Sequence, residues 1–151
     1  LRAKQTAAPI AERLGLSVEV IEGVHEVVVG DLEGLAGEEA LRTFFGVFHE
    51  WTAGKLDESM PGGESGWQAI ERFSAAVRRI CDTHSSGTVV VVCHGAIIRL
   101  VASWMAANIS DELVERKLIP NTGRVVLAVD QATPTGWRCV EWPDVPLTEL
   151  G

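Results

Sequence analysis

The run Thr88-Val-Val-Val-Val-Cys-His-Gly-Ala-Ile-Ile-Arg99 changes periodicity partway along. Four consecutive valines, bounded by Gly87 and Gly95, read as a short strand buried on both faces. Beyond Gly95 the apolar residues Ile97, Ile98, Leu100, Val101 and Trp104 take helical spacing. Strand therefore passes to helix through Cys93-His94-Gly95. A histidine at the carboxyl end of a buried strand, facing a helix N-terminus, occupies the place where open α/β sheets bind ligands. Free N–H groups and the helix dipole favour an anion there. The alternative is a core histidine that only satisfies its neighbours.

Outward from this turn, strands and helices alternate. Ala3 to Leu14 reads as a helix ended by Gly15, with Pro9 fitting only in a first turn capped near Thr6, or else at a kink. Ser17 to Ile21 alternates as a short strand, and Gly23 to Gly34 is a glycine-bracketed loop. Glu38 to Trp51 is helical, with Leu41, Phe44, Phe45 and Phe48 on one face, mostly core. Thr52 to Gly63 is a loop. Ser65 and Gln68 then form a capping-box pattern before a helix whose stripe is Trp67, Ile70, Phe73, Val77 and Ile80. Ser110 caps a short helix, Arg124–Val129 and Trp137–Trp142 read as closing strands, and Asp144–Gly151 reads as a tail. The pattern predicts an α/β fold with helices on both sides of a mainly parallel sheet, in a single domain over residues 1–151.

Composition narrows the function classes. Lys+Arg number 13 and Asp+Glu 21, a formal net charge of −8, which disfavours nucleic acid and anionic membrane as partners. A small anionic substrate needs a locally positive pocket. The three cysteines lack metal-ligand spacing and read as reduced thiols, consistent with a cytoplasmic protein. No apolar run approaches membrane-spanning length and no signal peptide is visible. The chain starts at Leu1 without an initiator Met, so an upstream segment is expected.

Four residues carry candidate chemistry on local sequence. Arg2, at the start of the first helix, either points at an anion or is a solvated helix-end arginine. Glu26, among three valines and beside His25, reads equally as an acid/base carboxylate and as a solvent-facing loop residue. Glu64 either caps the next helix or enters a pocket, and the structural role is favoured. His94 stands at the strand–helix turn. His49 and His84 read as surface residues without partners.

Together these segments resemble the histidine phosphatase superfamily, also called phosphoglycerate mutase-like. Arg2-Ala-Lys-Gln-Thr-Ala7 resembles the family's Arg-Ala-x-x-Thr-Ala, and Glu26-Val-Val-Val-Gly-Asp-Leu-Glu-Gly34 its Glu-x-x-x-Gly-x-x-x-Gly. Pro61-Gly-Gly-Glu-Ser65 and Val91-Val-Cys-His-Gly95 resemble two further family motifs, and Asn121 resembles the family's Asn ahead of a late strand. The resemblance implies phosphoryl transfer through a phosphohistidine, with charge stabilisation from arginines and a second histidine. By motif, Arg2 is the second arginine, His94 the second histidine, Glu26 the proton donor, and Gly95 part of the substrate-binding turn. No metal and no cofactor are implied.

The family's Arg-His-Gly, which supplies nucleophile and first arginine, is absent from these residues. Its opening strand–helix–strand would lie upstream of Leu1. The leading expectation is a phosphatase acting on a small phosphomonoester. A phosphoglycerate-type mutase, and a non-catalytic remnant binding a phosphorylated ligand or partner, are the alternatives. An unrelated α/β domain is a third. Leu35–Gly63 and Asn108–Pro120 are the expected pocket walls. An incomplete sheet would favour pairing with another chain, which adds a homodimer to the expected partners.

Overall fold

Apolar residues at steps of three and four decide which helices hold the core, and three helices carry most of it. Residues 1–150 are described in a computed structural model. Helix α1 (Arg2–Leu14) stops where Gly15 turns left-handed at φ 66°, its N–H donating to the Ala11 and Glu12 carbonyls. Pro9 lies inside α1, not in a first turn, and Thr6 is no cap: its hydroxyl donates back to the Arg2 carbonyl at 3.2 Å. Lacking an N–H, Pro9 leaves that turn without a bond to Gln5. No residue of α1 is buried.

Helix α2 (Glu38–Thr52) buries Phe48, Trp51 and Thr52. The core face is therefore rotated from the expected one: Phe44 is half-buried, whereas Leu41 and Phe45 are exposed. The Trp51 indole N–H donates to the Glu58 carbonyl at 2.7 Å, fastening the loop that follows. Helix α3 (Gly66–Thr83) begins at the expected capping box. Ser65 Oγ accepts from the Gln68 N–H at 3.3 Å, and Gln68 Oε1 from the Ser65 N–H at 2.9 Å. A cap of this kind is worth about 1 kcal/mol. Its Ala69, Ile70, Phe73 and Ala76 are buried, and it packs on helix α4 (Gly95–Met105).

Helix α4 buries Ile97, Leu100, Val101, Ala102 and Met105, and also Arg99, only 5% exposed. Arg99 donates twice to the Val114 carbonyl in helix α5 (Asp111–Arg116) and lies 4.6 Å from the Phe48 ring centroid. Burial, the leading influence, lowers its pKa from the usual arginine value, opposed by the Glu115 charge. One cation thus ties α2, α4 and α5. Ser110 caps α5 as the sequence predicts, accepting from the Leu113 N–H at 3.2 Å.

Strands β1 (Val126–Val129) and β2 (Trp137–Glu141) pair antiparallel, Leu127 opposite Cys139, with an irregularity between Val126 and Leu127. The Asn108 side chain continues this pairing, bonding the N–H and carbonyl of Cys139 at 2.8 and 2.9 Å. The last residues are not a loose tail. Trp142 bridges Val145, and Leu150 is buried.

The mainly parallel sheet expected from the sequence does not form among these residues. Among the described residues the only sheet is this two-stranded antiparallel one. Residues 17–21 and 88–93 carry no strand pairing. Val89 and Val90 are 46% and 58% exposed, and Val18 and Val20 are exposed too. The reason is that a strand is defined by its neighbour. Backbone groups that meet no partner form no ladder, however strong the valine preference for extended structure.

Candidate active site

Two loops build the site by touching backbone to backbone. The Glu26 segment runs beside the Pro61 segment. Glu64 N–H donates to the Val28 carbonyl at 3.0 Å, and Asp31 N–H to the Pro61 carbonyl at 2.8 Å. Gly63 has no room for a side chain, since a Cβ there would stand 2.2 Å from the Val28 carbonyl oxygen. Gly30, at φ 56°, faces Gly62 equally closely, its Cβ position 2.2 Å from the Gly62 carbonyl carbon. The glycines of two motifs remote in sequence are thus two sides of one contact.

This contact presents Glu26 to the N-terminus of α4. Its Oε1 accepts from the Val27 N–H at 2.9 Å and the Ile97 N–H at 2.9 Å, and its Oε2 from the Ala96 N–H at 3.3 Å. His94, the residue at the N-cap of α4, makes no side-chain cap bond, so Glu26 caps the helix from 70 residues away. A carboxylate here also meets the positive end of the helix dipole. Glu26 and the His94–Gly95 turn are therefore brought together. His94 is half-buried, and its imidazole makes no hydrogen bond among the described residues. Gly95 is open: a Cβ would meet nothing nearer than the Ile119 carbonyl at 3.8 Å.

Arg2 is not part of this cluster. It lies on the exposed first turn of α1, with no bond to Glu26 or His94 among the described residues. Beneath the turn, Cys93 has its thiol pKa pushed up to about 11, chiefly by burial and slightly by the Glu26 charge, against the His94 backbone bond. It stays a neutral thiol at physiological pH.

Glu64 neither caps α3 nor points into open space. It is nearly buried and pairs with Arg72 on α3, Nη2 to Oε1 at 2.6 Å and Nε to Oε2 at 2.9 Å. The local reading of the sequence passed over Arg72. The available signal was its position between Ala69 and Ala76, a cation on the buried face of an amphipathic helix. His49, read as a surface residue without partners, pairs with Glu115, Nδ1 to Oε1 at 2.6 Å. Thr52 donates to the same oxygen, and these two bonds hold the Glu115 carboxyl below its usual range, the Thr52 bond foremost. His84 is exposed. No group of three or more His, Cys, Asp or Glu among the described residues is arranged to hold a metal ion. Nor is any helix there long and apolar enough to cross a membrane.

Residues 1–145 match the histidine phosphatase superfamily (branch 1), and the chain belongs to that family. It is similar to phosphoglycerate mutase-like protein 4 of Arabidopsis thaliana, 35% identical over 99% of this chain and 64% of that protein. It is also similar to a metal-independent phosphoserine phosphatase of the same plant, 31% identical over 95% of this chain and 58% of the relative. The chain thus spans about six-tenths of the length of these relatives. A solved structure, mycobacterial hydrolase 1, shares the α/β fold with a TM-score of 0.76 at 21% identity, over 93% of this chain and 70% of that one.

Proposed function

We propose that the protein is a phosphatase that hydrolyses a small phosphomonoester through a phosphohistidine. The observation that carries this reading is the seating of Glu26 at the same helix N-terminus that His94 precedes. An acid and an imidazole are thereby brought to one turn, the pair that protonating a leaving oxygen and stabilising phosphoryl charge require. His94 holds phosphoryl oxygens as charge develops, Gly95 leaves the turn open to them, and Arg2 joins when the pocket is complete. Glu26 protonates the leaving oxygen and then takes a proton from the attacking water. Its Oε2, held by a single long bond at 3.3 Å, is the oxygen freer to carry that proton.

The nucleophilic histidine in this reading lies outside the 151 residues, on a strand that pairs with the unpaired segments at 17–21 and 88–93. With it the fold becomes the three-layer arrangement around a mainly parallel sheet.

The test uses full-length protein, with phosphoserine (the substrate in one relative's name) among the phosphomonoesters assayed. Turnover, with an acid-labile phosphoenzyme trapped by rapid quench, is the expected result. Glu26→Gln should cost about a hundredfold on alkyl phosphates and far less on aryl phosphates, which leave without a strong acid. Absence of both turnover and phosphoenzyme would point to a ligand-binding remnant. Phosphoryl return to a second position of the substrate would point to a mutase.

A further inference from the structure

Residues 22–29, which carry Glu26, form neither helix nor strand, so something other than a ladder must fix their register. Arg72 does so with all five of its N–H donors. Two go to the Glu64 carboxylate, at 2.6 and 2.9 Å. The other three go to backbone carbonyls: Nη1 to Gly23 at 2.8 Å and His25 at 2.9 Å, and Nη2 to Glu26 itself at 3.0 Å. Glu64 completes the clamp, its Oε1 accepting from the Val28 N–H at 2.8 Å. The main chain is therefore gripped on both sides of Glu26 by one ion pair, whose side chains are only 17% and 10% exposed.

The pair belongs to α3 and the residue just before its cap, and α3 packs on α4, the helix whose first N–H groups hold the Glu26 carboxylate. Loop, α3 and α4 close a ring. From this we infer that Arg72, oriented by Glu64, is a positioning residue that sets where the Glu26 carboxylate stands against the α4 N-terminus. It touches no reacting atom. The inference rests on the phosphatase reading for its kinetic consequence but not for its structural one.

Lysine keeps the charge at position 72 but cannot make the planar five-donor fork. The experiment compares full-length wild type with Arg72→Lys by amide hydrogen exchange and by turnover. Exchange at Ala96 and Ile97, whose N–H groups Glu26 covers, should rise about tenfold, while Leu100 and Val101 within α4 stay protected. Unchanged rates at Ala96 and Ile97, or a uniform rise along α4, would overturn the inference. Turnover of an alkyl phosphate should fall at least tenfold more than that of an aryl phosphate, mostly in kcat. Equal losses on both would also overturn it. Wild type inactive on both substrates would refute the phosphatase reading, and the exchange result would still decide the role of Arg72.

Discussion

The loop around Glu26 and the valine run 88–92 are both short, apolar and irregular by hydrogen-bond pattern, yet their fates differ. The first is held at several points: Arg72 binds the Gly23, His25 and Glu26 carbonyls, Glu64 accepts from the Val28 N–H, and the α4 N-terminus holds the Glu26 carboxylate. The second has strong strand propensity and no ladder, and its valines stand half in solvent. Both carry a run of valines, and the segment with complementary partners is the better fixed. Propensity proposes, and complementarity decides.

The sharpest way to break this contrast is at the turn where the two regions meet. In full-length protein, His94→Ala should lower phosphatase turnover by about a hundredfold to a thousandfold, the scale of one lost charge-stabilising donor, with unfolding midpoint unchanged. Turnover at the wild-type rate would remove His94 from the chemistry. Next comes the backbone contact. Gly63→Ala forces a Cβ against the Val28 carbonyl and should cost about 3 kcal/mol in urea unfolding, whereas Gly46→Ala, on helical backbone in α2 with open space around it, should cost nothing. Equal costs would mean that the two loops do not bear on each other.

The Cys93 thiol supplies a subtler probe. Its folded pKa near 11 lies above the ordinary 9.0, so below pH 9 both folded and unfolded chains keep the proton. Between pH 9 and about 11 the unfolded chain releases it first, and this contribution to stability drains away as pH rises. At pH 8 the native thiol should therefore alkylate about a hundredfold more slowly than an ordinary cysteine, as followed by peptide mass spectrometry. Alkylation at the ordinary rate would show the turn to be open. The smallest effect is at Val90. With the run exposed as described, Val90→Lys should cost less than about 0.5 kcal/mol. A cost of about 2 kcal/mol or more in full-length protein would show that a partner strand covers it.

What the sequence disclosed tracks how far apart the partners lie. The capping box at Ser65–Gln68, the left-handed Gly15 and the Ser110 cap are decided within a few residues, and each stands where the local pattern puts it. The seating of Glu26 against Ala96 and Ile97 spans about 70 residues, so a motif could nominate Glu26 but not show what holds it. Arg72 reaches 46 to 49 residues back for its carbonyls, and His49 reaches 66 forward to Glu115. No local window contains those pairs. The burial of Phe48 rather than Phe45 was hidden for a related reason. Four apolar residues on a helix leave the angle of its core face open until α4 and α5 arrive with Arg99.

The Gly30–Gly63 crossing has a further consequence. Elsewhere in a protein the gap between two segments is filled by side chains, and a substitution can widen or narrow it by a methyl group at a time. Here main chain lies on main chain, so no interchangeable spacer exists and the separation is fixed by atomic radii alone. The floor beneath Glu26 behaves as a datum surface with a single permitted dimension. Any tailoring of the pocket to a new molecule has to be done at its sides, where residues still have size to trade.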